Sequence, residues 1–302
     1  MFKTKLVSFS LILLAVTFWG ISFVATKTAL HEITPVTIIS LRLILASILL
    51  SVSAIYTRKS FSINLKSHRW ILILAVVAVF HLWIQVTGLQ YTTASNTGWI
   101  IGTAPIFMAA LAFIFFREKI KAYQLVGILV SMVGLLLLFG RGDLTNIDLI
   151  KNKGDLLVLA SSFTWGVYSM VNKKISLSYS PLMTILYLFV MMEIIIIPFN
   201  INGKAIRSVI GLSLIGWISI LFLGLFCSGV AYVIWAHSLR DMESAKVGVF
   251  LYFEPFITVI AAWVLLNEEI TFITILSGII ITAGVFLVNK SDYLPARKQE
   301  RE

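Results

Sequence analysis

Ten continuous apolar runs, each long enough to cross about 30 Å of hydrocarbon as a helix, fill the chain and leave mostly short polar joints between them. They predict helices α1 to α10 over about 6–30, 35–56, 69–89, 93–116, 121–140, 153–175, 181–200, 211–238, 244–266 and 272–289. Helices are expected rather than barrel strands because the runs are continuously apolar, whereas strands in a membrane alternate over roughly ten residues. The first run is too long for a signal-peptide core, and no small-x-small cleavage site follows Leu30, so it is expected to remain a membrane helix.

The second half repeats the first. Trp19, Gly20, Lys27 and Pro35 recur 146 positions later as Trp165, Gly166, Lys173 and Pro181. A gapless block recurs at 150 positions: Leu89, Gly98, Pro105, Ala112, Glu118 and Ile120 match Leu239, Gly248, Pro255, Ala262, Glu268 and Ile270. Five spans per half is an odd number, so the halves enter the membrane in opposite senses. The fold expected is an all-α membrane protein of ten transmembrane helices in two inverted five-helix repeats, 6–140 and 153–289, followed by a short basic cytoplasmic tail, 290–302. The joint from Gly140 to Gly154 is the longest, and the others are too short for a soluble domain. In such folds the binding site lies near the midplane between the halves.

Composition agrees: 59% of the 302 residues are hydrophobic and 13% charged, more apolar surface than one soluble core hides. The net charge of +10 reads as topology. Of the 24 Lys and Arg, Lys27 and Arg42 lie inside spans, Arg141, Lys151, Lys153, Lys204 and Arg207 fall on one side, and the remaining 17 fall on the other. Positive joints stay in the cytoplasm, so both termini are expected inside, and no nucleic-acid partner is implied.

Helical spacing picks out the faces able to line a path. In α1 it aligns Ala15, Trp19, Ser22 and Thr26, and in α6 Ser161, Trp165, Tyr168 and Asn172. Helix α3 aligns His81, Gln85 and Gly88, and α8 aligns Ser228, Tyr232 and Trp235. Helix α4 presents Asn96, Trp99 and Thr103, and α9 presents Lys246, Phe250 and Glu254. Helices α2, α5, α7 and α10 offer almost no such stripe. The substrate path is therefore assigned to α1, α3, α4, α6, α8 and α9; taken singly, each aromatic also reads as packing between helices.

Glu254 is the sharpest residue. It stands ten positions from the start of α9, near the midplane, where a charge costs about 2.5–3.5 kcal/mol on the insertion scale, so it must be protonated, paired or facing water. Pro255 follows it, and Pro105 stands at the matching place in α4; each removes a helix donor, which makes both candidates for a helix break or gate. Glu254 reads either as a ligand or proton site or as a structural lock. Arg42 and Glu193 share a depth of about 10 Å and read as snorkelling or a structural pair. Lys27 and Lys173, near helix ends, read as snorkelling. His81 reads as a packing histidine or a proton relay. Gly98 and Gly102, Gly127, Ser131 and Gly134, and Gly278, Thr282 and Gly284 read as close helix packing, inside one chain or in a homodimer.

HExxH, GxSxG and Walker signatures are absent, and Cys227 is the single cysteine, so no catalytic residue, metal or cofactor is assigned. The stretch Gly154-Asp155 through Trp165 and Tyr168, the stretch Tyr252-Phe-Glu254-Pro255-Phe through Leu266-Asn-Glu268, then Gly278 and Gly284, with Trp19-Gly20, Leu41-Arg42, Pro105 and Glu118 in the first half, resemble the EamA family of the drug/metabolite transporter superfamily. The resemblance covers 8–289 and implies a ten-helix carrier in the inner membrane of a bacterium, with a central cavity lined by the six helices named above. It implies a small-molecule substrate, amino acids among those of the family, with efflux frequent; the aromatic lining of Trp19, Trp99, Trp165, Tyr168 and Trp235 suits efflux of an amino acid or similar amphipathic solute by alternating access, and Glu254 makes protons a candidate coupling ion. A membrane-embedded enzyme using Glu254 and His81, and a non-transporting scaffold or sensor, are the alternatives; neither explains an inverted repeat.

Overall fold

The computed structural model describes residues 2–60, 65–118, 120–139, 150, 152–201, 203–266 and 272–288. Glu268, Ile270, most of the joint from Gly140 to Gly154 and the tail 290–302, all singled out above, lie outside these residues. The described residues are helical bodies joined by turns, with no strand among them. They are α1 Phe2–Leu30, α2 Pro35–Tyr56, α3 Leu65–Tyr91, α4 Ala94–Phe116, α5 Ala122–Phe139, α6 Lys153–Ser176, α7 Pro181–Asn200, α8 Leu214–Asp241, α9 Ser244–Leu266 and α10 Phe272–Val288. Seven are long and apolar enough to cross a membrane unaided. The other three are α5 and α10, which are shorter, and α6, which is more polar because Lys153, Asp155, Lys173 and Lys174 sit in its end turns. At 1.5 Å per residue the 17 residues of α10 reach about 26 Å, the lower limit of a span.

Three expected spans are not simple helices. Helix α4 is interrupted at Gly102 and Thr103, just before Pro105, into Ala94–Ile101 and Ala104–Phe116. Helix α9 has a 3-10 turn, Val249–Tyr252, just before Glu254 and Pro255. At the break in α4 the Ile100 carbonyl accepts from the Thr103 N–H at 3.0 Å and from the Thr103 and Ser162 hydroxyls at 2.7 and 3.2 Å. Helix α8 starts at Leu214 instead of 211 and carries a π-helical stretch, Phe222–Val230. The joint before it, expected as a loop, holds the short helix Gly203–Ile210. In the α1–α2 turn, Glu32 accepts from the Ser213 backbone N–H and hydroxyl, both at 2.7 Å; these bonds hold its carboxyl below the usual carboxylate range and tie the turn to the start of α8.

Polarity is inverted relative to a water-soluble protein. Large apolar side chains such as Val52, Ile55, Ile114, Ile194 and Ile279 are exposed, while Ser161, Ser162, Ser169, Asn172 and Thr258 are fully buried. Hydrocarbon solvates the former, and the interior supplies the hydrogen bonds the latter need. The packing is two-fold. Helix α1 lies on α9 as α6 lies on α4, α2 on α8 as α7 on α3, and α3 on α6 as α8 on α1, while α2 with α7 and α5 with α10 pair with their own counterparts. Single residues follow the same symmetry: Gly20 is pressed against Ile257 and Gly166 against Phe107, and Gly98 meets Thr258 where Gly248 meets Met108.

The α5–α10 seam shows what the small residues do. A Cβ on Gly284 would stand 2.1 Å from Ser131 Oγ and 2.6 Å from the Gly127 carbonyl oxygen, and one on Gly127 would meet the Gly284 carbonyl at 2.7 Å. The contact is within one chain. Gly284→Leu is expected to lower stability by about 1–3 kcal/mol, since backbone must move to admit the side chain. Leu129→Ala, at an exposed position of the same helix pair, is expected to be nearly neutral. Heat-denaturation midpoints of the two variants in detergent test this, and equal midpoints would show that the seam is not tight.

Candidate functional site

The paired tryptophans meet at the centre. Trp19 and Trp165, at equivalent places in α1 and α6, touch edge to face with ring centroids 4.9 Å apart. Tyr232 of α8 stands 5.6 Å from Trp19 and 5.7 Å from Trp165, and Trp235 stands 5.2 and 5.6 Å from them. His81 of α3 packs its ring 5.2 Å from Trp165. The edge-to-face contacts of Trp19 with Trp165, Tyr232 and Trp235, and of Trp165 with Tyr232, suit the ring quadrupoles. Trp19 is held by its indole N–H, which donates to the Cys227 carbonyl in the π-helical stretch of α8 at 2.9 Å. A widened helix turn of this kind leaves carbonyls free for such bonds. The Trp165 indole N–H has no hydrogen-bond partner among the described residues.

These rings bound a cavity of about 400 Å³, including its open part, lined by Trp19, Ser22, Phe23, Arg42, His81, Leu82, Gln85, Ile101, Trp165, Tyr232, Leu251 and Glu254. The enclosed part admits only water-sized contents, so a metabolite requires the rings to part. Of the residues assigned to the path from sequence, Trp19, Ser22, His81, Gln85, Trp165, Tyr232 and Glu254 line the cavity. The others do not. Trp235 and Tyr168 support it from behind, Trp235 donating to Ser169 Oγ at 3.2 Å and Tyr168 stacking on Trp165 and accepting from Asn172. Asn96 donates to Asp155 at 2.6 Å and so ties α4 to α6 at one end of the bundle, Thr103 is occupied at the α4 break, and Trp99 packs against the core.

Arg42, read from the sequence as snorkelling or as a structural partner of Glu193, lines the cavity. It does not pair with Glu193: its Nε donates to Ser228 Oγ at 2.8 Å, and Glu193 instead accepts from Ser40. Helix α2 therefore lines the cavity, contrary to the expectation from its uniformly apolar faces. A usable signal was present in Gly224 and Gly229, five apart. A Cβ at either would stand 2.7 Å from Leu45 or Leu49 of α2, so the π-helical stretch of α8 lies directly on α2 beside Arg42.

Lys27 and Lys173 do not snorkel. Lys27 turns inward and donates to the carbonyls of Leu89 and Thr92 in the α3–α4 turn, at 2.7 and 2.8 Å. Its repeat counterpart Lys173 donates to the Met242 carbonyl in the α8–α9 turn at 3.0 Å, and also to Ser244 and Glu118. Glu118 in turn accepts from the Ser244 N–H at 2.9 Å. Arg117, in a left-handed conformation with φ 52°, ends α4 just ahead of Glu118. Lys27 thus ties α1 to the end of α3 and the α3–α4 turn within the first half, whereas Lys173, through Glu118, ties one end of the bundle across the gap between halves. Among the described residues no group of His, Cys, Asp and Glu is placed to hold a metal ion.

The model of the EamA-like transporter family matches the chain in two copies, over residues 7–140 and 152–290. An uncharacterized transporter of Archaeoglobus fulgidus is 30% identical over 285 residues, which cover 94% of this chain and 97% of the relative. Another uncharacterized transporter, of Bacillus subtilis, is 28% identical over 271 residues, or 89% and 92% of the two chains. A protein of Escherichia coli named a probable amino-acid metabolite efflux pump is 28% identical over 295 residues, or 92% and 93%. A crystal structure aligns with a TM-score of 0.73 over 94% of this chain and 97% of the other, at 12% identity, a likeness of fold alone.

Proposed function

The chain belongs to the EamA-like transporter family and is a multi-pass membrane transporter of a small molecule, and from that membership we propose that it exports an amino acid or similar amphipathic solute by alternating access at the central cavity. The observation that carries this reading is the meeting of Trp19 and Trp165 on the wall of a polar-aromatic cavity beside Glu254, between halves packed with two-fold symmetry. A symmetric pair at the centre can exchange environments when the halves rock, opening the site to one side and then the other. The broken segments of α4 and α9, ahead of Pro105 and Pro255, are the hinges in this reading, and the Lys173–Glu118 tie between halves is what opens at its end. Glu254 alternates between a proton and the cationic group of the solute, so that an entering proton releases an outgoing solute. The charge asymmetry of the joints supports cytoplasmic termini, which puts the Lys173 tie on the cytoplasmic side. The two repeats act as units of one carrier, with no enzymatic step.

The test is flux in proteoliposomes over a panel of amino acids, with and without a pH gradient. Trp19→Ala and Trp165→Ala are each expected to lower flux about tenfold, the worth of a lost aromatic contact with the solute, while the protein elutes folded from gel filtration. Parallel losses of flux and of folded protein would make the pair a packing element instead.

A further inference from the structure

On the transport reading above, the wall of the cavity also sets which solute is selected. Two side chains of opposite charge stand in its wall with their ends unclaimed. Arg42, only 4% exposed, uses Nε toward Ser228, and its Nη groups have no partner among the described residues. Glu254, also 4% exposed, has a carboxylate with no partner among the described residues. Both line the same space, and no ion pair joins them. A buried guanidinium or carboxylate kept only for structure would be saturated by neighbours, because an unpaired charge in a low-dielectric interior is costly.

Their heights differ. Arg42 is seven residues into α2 from one membrane face and Glu254 is ten residues into α9 from the other. With about 30 Å of hydrocarbon and 1.5 Å per residue, they stand at depths of about 10 and about 15 Å from the same face, so about 5 Å apart along the normal. That is the scale of one α-amino acid held by its two charged ends.

We infer that Arg42 binds the carboxylate of the solute and, with Glu254 receiving the ammonium, selects a zwitterionic α-amino acid. A simple organic cation would leave Arg42 unpaired, and a simple carboxylic acid would leave Glu254 unpaired. A phosphorylated solute would find a single guanidinium where its charge calls for several basic groups. The fork of Arg42 suits a carboxylate because both Nη groups can donate in parallel, and Ser228 is the positioning residue that turns the fork inward by occupying Nε.

Counterflow of each of the twenty standard L-amino acids into proteoliposomes identifies the best probe. That probe is then competed by its own amide, which lacks the carboxylate charge, and by its decarboxylated amine and deaminated acid. The wild-type protein is expected to reject all three at least about tenfold, the worth of a charge-assisted hydrogen bond. Arg42→Gln is expected to erase the discrimination against the amide while keeping that against the deaminated acid, and Glu254→Gln is expected to do the reverse. Arg42→Lys keeps a charge without the fork and is expected to fall between. An amide that competes as well as its amino acid on the wild type overturns the inference without any variant, so a misfolded Arg42→Gln does not shelter it. If amino acids exchange but Arg42→Gln still rejects the amide, the inference falls and the export reading stands. If none of the twenty exchanges while another solute of the flux panel does, the inference falls with the amino-acid reading, and transport itself stands.

Discussion

Lys173→Met is expected to destabilise the folded protein by about 3–5 kcal/mol, because it strips the cation from Glu118 and leaves that carboxylate buried against the Ser244 N–H and hydroxyl. The lysine and glutamate side chains are 10% and 16% exposed, so water offers little compensation. Glu118→Gln, which leaves a neutral amide in place, is expected to cost less, about 1–3 kcal/mol. Replacing both residues by Met removes both charges together and is expected to recover much of the loss, as buried pairs often do when exchanged for apolar side chains of similar volume. Lys27→Met is milder than Lys173→Met, since Lys27 donates mainly to neutral carbonyls that carry no formal charge to strand. Folded yield and heat-denaturation midpoints in detergent decide the order. If Lys173→Met is as stable as the parent, the Glu118 tie contributes nothing and cannot hold that end of the bundle shut.

The second large effect is on transport. Glu254→Gln keeps the shape and hydrogen-bonding capacity of the side chain but fixes it neutral, so a residue that alternates between a proton and a cationic group can no longer do either. Accumulation driven by a pH gradient is expected to vanish, and affinity for an amino acid to fall at least about tenfold, because a charge-assisted bond to the ammonium becomes an ordinary one. Stability is expected to change little, since the carboxylate has no partner to lose among the described residues. Binding by tryptophan fluorescence, with Trp19 and Trp165 in the cavity wall, and flux with and without the gradient separate the outcomes. Unchanged affinity with lost gradient drive leaves Glu254 a proton site only. Unchanged affinity together with unchanged pH dependence reduces it to a structural element beside Pro255.

What sequence determined by itself is the class of the fold and its symmetry. A membrane demands apolar runs of span length and intrahelical bonding, and both requirements are written residue by residue along one strand of text. The recurrence of Trp19 as Trp165 and of Pro105 as Pro255 records the repeat in the same local way, and the six polar-aromatic faces follow from helical period alone. Tertiary structure decided which members of those faces reach the cavity. Trp235, Asn96 and Asn172 share the expected faces yet are turned to other partners, because rotation about a helix axis is set by neighbours and not by period. It decided the inward turn of Lys27 and Lys173, since a flexible stem can reach a bilayer surface or a buried carbonyl equally well until the facing turn is in place. Most of all it decided Arg42. Its helix shows no polar stripe, and the guanidinium belongs to the cavity only because the π-helical stretch of α8, laid against α2 through Gly224 and Gly229, brings Ser228 to its Nε; that contact joins residues 186 positions apart, and the spacing of the two glycines marks a close approach without naming the helix that makes it.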